Sequence, residues 1–163
     1  MMWLGIDPGT TGAIALYDSE EDEVLDVWDI PNMPREYGKG LQVDAVSLYH
    51  LLVKEARPNM SVIIEQVGAM PKQGVVSSHN FGHTIGTIYG VVSCLELPRY
   101  MVHPTAWKRK MGLVGSGKNA VIDMVLEVYP NVREWVSLKK HHNRAEAVAI
   151  AIIGSSIKDT GNE

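Results

Sequence analysis

The sequence predicts an α/β fold: a mixed five-stranded sheet, three antiparallel strands then two parallel ones, with helices on both faces. Two observations carry this. The first 30 residues hold three short apolar runs separated by turn residues, a spacing that fits hairpins. From residue 41 onward, stretches with helical apolar spacing alternate with apolar runs of strand length, the pattern of strand–helix–strand crossovers.

The first strand covers 3–7, Trp3-Leu4-Gly5-Ile6-Asp7, and Pro8-Gly9 and Gly12 turn the chain into a second strand over 12–17. The acidic run Ser19-Glu20-Glu21-Asp22-Glu23 is the turn into a third strand, 24–30. Residues 31–40 read as a loop. A helix is expected over 41–56, with Val43, Val46, Leu48, Leu51, Leu52 and Val53 at helical spacing, ended by Arg57-Pro58-Asn59. Residues 61–66 form the next strand, 75–96 a long helix with Pro98 beyond it, and 100–103 the last strand. Pro104 opens a turn or short helix. A helix over 118–129 turns Val121, Met124, Val125 and Val128 inward and stops at Pro130, and 142–157 is the final helix. The chain reads as one domain over 1–157, with a frayed tail at 158–163.

Composition excludes several classes. The 163 residues, 45% hydrophobic and 21% charged, match an ordinary globular chain. No apolar run approaches the roughly 20 residues that cross a bilayer, and no signal peptide is evident. The single cysteine, Cys94, lies in an apolar helical pattern and reads as a buried packing thiol, consistent with a cytoplasmic setting. The net charge of -4 argues against a nucleic-acid partner, but its distribution does not. Residues 1–55 hold 11 acids and 3 bases, whereas 99–144 hold 9 bases and 3 acids. Such asymmetry makes either a basic face for phosphate or a solvated surface, and charge alone does not separate the two.

Three carboxylates stand where burial is expected. Asp7 ends the first strand, Glu65 ends Ser61-Val62-Ile63-Ile64-Glu65-Gln66, and Glu146 lies in His142-Asn143-Arg144-Ala145-Glu146-Ala147-Val148-Ala149, a helix apolar nearly all round. A buried carboxylate is costly unless it is paired or holds a metal, so three of them point to a divalent-metal site.

This element order and acid placement resemble the ribonuclease H-like fold, and within it the RuvC family of Holliday junction resolvases. The resemblance covers roughly residues 3–155. It is strongest in Gly5-Ile6-Asp7-Pro8-Gly9, Ile64-Glu65-Gln66-Val67, His103-Pro104-Thr105-Ala106-Trp107-Lys108 and Arg144-Ala145-Glu146-Ala147. Met70-Pro71-Lys72-Gln73-Gly74-Val75 is similar to the phage and chloroplast branch. The resemblance implies phosphodiester hydrolysis with two Mg2+ ions about 3.5–4 Å apart, Mn2+ substituting. Asp7 would bridge the ions, with Glu65 on one and Glu146 on the other.

Relatives usually carry a further acid three or four residues before the last one, where this chain has Asn143 and His142. One helical turn puts His142 on the face of Glu146. There it could ligate metal, relay a proton, cap the helix or contact phosphate. The resemblance places Lys118 near the scissile phosphate, and Lys72 in the segment that meets the branch point. Lys108, Lys110, Lys139, Lys140 and Arg144 complete the expected DNA-binding set. The aromatic wedge of some relatives is replaced here by Gly68-Ala69-Met70.

Paired cuts need two active sites, so the resemblance implies a two-fold homodimer. The 75–96 helix, with Gly82, Gly86 and Gly90 at four-residue spacing, is its expected contact. The expected activity is a crossover junction endonuclease cutting symmetric strands to 5′-phosphate ends. Alternatives are a flap or fork nuclease of the same fold, and a junction-binding protein with little catalysis. No nucleotide cofactor is expected. Gly112-Leu113-Val114-Gly115-Ser116-Gly117-Lys118 nearly matches a phosphate-binding loop, but Asn119 stands where that loop needs Ser or Thr, and Trp107-Lys108-Arg109-Lys110 is no preceding strand. Asp7-Pro8-Gly9-Thr10-Thr11-Gly12 also resembles the phosphate loop of the actin and sugar-kinase superfamily, which needs two such domains.

Overall fold

The computed structural model of the chain describes residues 1–69, 71–117 and 119–158. The central sheet is built from β1 (Met2–Asp7), β2 (Ala13–Asp18), β3 (Glu23–Asp29), β6 (Met60–Glu65) and β7 (Arg99–Val102). Its order is β3-β2-β1-β6-β7. β1 pairs antiparallel with β2 and β2 with β3, while β1–β6 and β6–β7 are parallel. This is the predicted mixed sheet. β1 lies at its centre, and all but its first residue is buried.

Alternation along the strands separates two cores. Leu4, Ile6, Ile14, Leu16, Val62 and Ile64 pack on one face beneath α1 (Ala45–Glu55) and α2 (Val75–Ser93). Trp3, Ala13, Ala15, Tyr17 and Ile63 pack on the other, against α3 (Pro104–Lys110), α4 (Ala120–Val128), α5 (Arg133–Val136) and α6 (His142–Lys158). Asp7 and Glu65 continue the odd-numbered series of β1 and β6, so they emerge on the α6 face.

Small residues let α6 lie directly on the sheet. A Cβ at Gly5 would collide with the Ala147 carbonyl and stand 2.7 Å from Ala151 Cα, and one at Gly154 would run into the Trp3 ring. The Ala-rich run of α6 is thus a close-packing device, and it brings Glu146 down to the end of β1.

Several expectations are corrected. Residues 32–34 and 41–43 are not loop and helix. They form a small hairpin of β4 (Asn32–Pro34) and β5 (Leu41–Val43). α1 starts only after Asp44, whose side chain accepts from the Val46 and Ser47 amides and so fixes the helix start. Within α1, Leu48 and Leu52 take the core, while Val46 and Val53 fall on the outer stripe. Val128 likewise ends α4 on its exposed side. α2 stops at Ser93, and Cys94, its C-cap, is exposed rather than a packing thiol. Among the described residues no helix is long and apolar enough to cross a membrane.

Candidate active site

The parallel pairing of β1 and β6, with Ile6 beside Ile64, sets their carboxyl ends side by side, where open α/β sheets bind ligands. Asp7 and Glu65 occupy those ends, and both are buried. The turn after Asp7 is tight. The Gly12 amide donates to the Gly9 carbonyl at 3.1 Å, and a Cβ at Gly12 would strike the Asp7 carbonyl. Glu146 arrives from the first turns of α6. The Asn143 side-chain amide fastens the start of that helix, donating to the Thr11 carbonyl at 2.5 Å. Arg144 adds a two-pronged pair to Asp29 at 2.7 and 2.6 Å, and a bond to the Trp135 carbonyl.

Three acids therefore converge from three elements, and they interact electrostatically. Burial, then Glu146 and Glu65, push Asp7 from its ordinary 3.8 up to about 8, with Lys108 pulling the other way. Burial also raises Glu65, opposed by a hydrogen bond from Trp107 and by the charges of Lys108 and His103. α3 supplies the cations and donors here. Trp107 Nε1–H donates to Glu65 Oε1 at 2.7 Å, and Lys108 Nζ lies 3.3 Å from Glu146 Oε1.

The donors are all carboxylate oxygens, the chemistry that suits Mg2+ or Mn2+, and Lys108 is the lysine set against them. That excess of negative charge fits a divalent ion. As the side chains stand, among the described residues no three acid, histidine or cysteine groups surround a single point. Trp107 engages Oε1 of Glu65 and Lys108 engages Oε1 of Glu146, which leaves one oxygen of each outside those contacts.

The expected site residues divide. Asp7, Glu65, Glu146 and Lys108 come together. His142 begins α6 one turn before Glu146 and lines a cleft of about 530 Å³ with Thr10, Thr11, Asn32 and Lys140. Thr10, Thr11 and Gly12 of the turn after Asp7 line this cleft, and Asp7, Glu65 and Glu146 do not. Lys139 and Lys140 lie exposed on a short 3-10 turn, and Lys140 lines the cleft. Lys72 is exposed in the loop before α2. Lys110 points elsewhere: its Nζ contacts the Ser156 carbonyl at 3.4 Å, near the far end of α6. Arg144 is committed to Asp29 and Trp135 instead of standing free for phosphate. Lys118 and Met70 lie outside the described residues. Gly115, Ser116 and Gly117 form part of a small pocket beside Glu146.

Sequence reasoning missed the role of Trp107, which it had only as part of a motif. The signal available was an aromatic residue immediately before Lys108, in a segment bounded by a proline start and a basic end. It also missed that Asn143 and Arg144 tie α6 to the sheet.

The sheet order and the acids at its carboxyl ends define a ribonuclease H-like fold. No family model matches the chain, and no curated protein sequence matches it. Solved structures do match, Holliday junction resolvases among them. Thermus thermophilus RuvC in complex with a Holliday junction substrate aligns at 21% identity over 99% of this chain and 97% of that one, with a TM-score of 0.67. The yeast mitochondrial Holliday junction resolvase aligns at 14% identity over 92% of this chain and 75% of its own, with a TM-score of 0.58. The fowlpox virus resolvase aligns at 14% identity over 98% and 99%, with a TM-score of 0.50. At these identities the likeness is one of fold.

Proposed function

We propose that this chain is a metal-dependent, structure-selective DNA endonuclease that resolves four-way junctions by paired symmetric nicks. The observation that carries this reading is the convergence of Asp7, Glu65 and Glu146 at the carboxyl ends of β1 and β6, with Asp7 pushed up to about 8. The resolvase fold of its structural neighbours supports the choice of substrate.

Asp7, Glu65 and Glu146 would hold two divalent ions, which when bound supply an activated water and a positive charge at the leaving oxygen. Asp7 gives up its proton on loading, so loading is favoured as pH rises toward about 8. Lys108, half exposed beside Glu146, is placed to meet a DNA phosphate. His142, in the cleft beside the turn, is placed to contact substrate or move a proton there. Lys140 in the cleft and Lys139 before it supply phosphate contacts, and Lys72 and Lys118 complete the basic set. The described helices and sheet act as one nuclease domain.

Two cuts require two sites, and the homodimer is proposed through α2. Gly82, Gly86 and Gly90 face open space, since a Cβ at any of them meets nothing within 4 Å. They are therefore not used for packing inside this chain.

The test is a labelled mobile four-way junction, beside fork and flap substrates, incubated with Mg2+, Mn2+ or chelator and with an Asp7→Asn variant. Paired symmetric nicks that need metal and vanish in the variant are expected. Preferential cutting of flaps or forks would redirect the substrate. Tight junction binding with no cuts in either metal would overturn the enzyme reading in favour of a junction-binding protein.

A further inference from the structure

We infer that Trp107 is a positioning residue: its indole N–H fixes the Glu65 carboxylate in the orientation that lets the site take a divalent ion. The inference rests on the metal-dependent reading above and assigns a residue to it that touches neither ion nor DNA.

The geometry is specific. Trp107 is fully buried and Glu65 nearly so. The indole has one donor, and it is spent on Oε1 of Glu65 at 2.7 Å. A bond from a neutral donor to a carboxylate in a buried setting is short and directional. With Oε1 held, the plane of the carboxylate is set and Oε2 is the oxygen the indole leaves unengaged. Trp107 itself sits rigidly, because α3 is started by Pro104, capped by His103 and packed into the α6-side core.

Filling that core does not by itself require the bond. Trp3 lies in the same core, is equally buried, and has an Nε1 with no hydrogen-bond partner among the described residues. The fold thus accommodates an unpartnered indole N–H a short way along the sheet, yet aims this one at an acid. The next residue, Lys108, meets Glu146, and its Nζ lies 5.0 Å from the Trp107 ring centroid. Two consecutive residues of α3 therefore hold two of the three acids. The lysine contact is half exposed and displaceable, whereas the tryptophan contact is buried and fixed.

Removing an outer partner of a metal-binding carboxylate typically weakens metal binding about 10–100-fold. The test is Mn2+ binding to the full chain, followed by water-proton relaxation, for the wild type, Trp107→Phe, Glu65→Gln and the double variant. Trp107→Phe keeps an aromatic ring and removes the N–H. It is expected to weaken Mn2+ binding by about tenfold or more, and to add little once Glu65→Gln is present. A residue that only fills the core would lower Tm and leave Mn2+ affinity alone. A second readout uses the wild type: the Trp107 indole N–H resonance, assigned in the wild-type protein through its NOEs to neighbouring protons, should move on Mg2+ addition and saturate with binding. That measurement decides the matter by itself if the variant does not fold.

Wild-type Mn2+ affinity in Trp107→Phe, or an indole resonance indifferent to Mg2+, overturns this inference while leaving a metal-dependent nuclease intact. A wild type that neither binds Mn2+ nor cuts junctions overturns the proposed function, and this inference with it.

Discussion

Replacing Asp7 by asparagine is expected to stabilise the metal-free protein, increasingly so as the pH rises. In the folded chain burial, Glu146 and Glu65 hold the Asp7 carboxyl at about 8, against 3.8 ordinarily. Between these values the folded state keeps a proton that the unfolded state has lost. Stability therefore falls as pH rises through this window, and is regained as pH drops toward 4. Asparagine has the same shape and no proton to lose. At 1.36 kcal/mol per pH unit the upper limit of the effect is about 6 kcal/mol. The carboxyl sits at the end of a strand beside the Lys108 charge, where effective screening is stronger than in a dry interior, so about 2–3 kcal/mol is expected near pH 8. For a chain of this size that corresponds to about 5–10 °C in Tm. The assay is thermal unfolding of both proteins in chelator from about pH 5 to about pH 8, then in saturating Mg2+. The variant's advantage should grow with pH and reverse with Mg2+, because ligand binding stabilises only the protein that binds it. A Tm difference that stays flat with pH would refute the burial-and-repulsion account of Asp7.

Three further outcomes follow from other contacts. Gly5→Ala forces a methyl into the Ala147 carbonyl and Ala151 of α6, and is expected to cost about 3 kcal/mol or abolish folding, read from Tm and soluble yield. Lys108→Met removes the charge that pulls Asp7 down, so the pH midpoint of Mn2+ binding should move upward. The half-exposed Lys108–Glu146 pair should change stability by less than about 1 kcal/mol. An unmoved midpoint would dismiss Lys108 as a control on Asp7. Gly86→Arg places a long side chain where a Cβ meets nothing, so the fold should persist while the proposed dimer is lost in sedimentation. A variant that still dimerises excludes this face of α2.

Legibility from sequence tracked how local the determining forces were. The five strands of the main sheet and α2, α4 and α6 were visible because apolar period and turn residues report burial directly. The β4–β5 hairpin was not, since its strands have three residues each and owe their shape to pairing with one another. Val46 and Val53 were expected inward together with Leu48 and Leu52, but a helix sets residues 46 and 48 about 200° apart, so only one of the two pairs can face the sheet, and the leucines take it. Cys94 was misread because the helix ends one residue before it, and a cap position is not bound by the helix's apolar face.

The sequence by itself determined the strand-end and helix positions of Asp7, Glu65 and Glu146, because a carboxylate inside an apolar run stands out in one dimension. Only the tertiary structure decided their neighbours. The pairing of β1 with β6 and the seating of α6 on Gly5 bring residues as far apart as 7, 65 and 146 together, and packing across such separations leaves no period in the chain. The same holds for the partners of the acids and for Arg144. A tryptophan, a lysine and an arginine look alike in sequence whether they face solvent, DNA or a carboxylate, and the fold gives Trp107 to Glu65, Lys108 to Glu146 and Arg144 to Asp29.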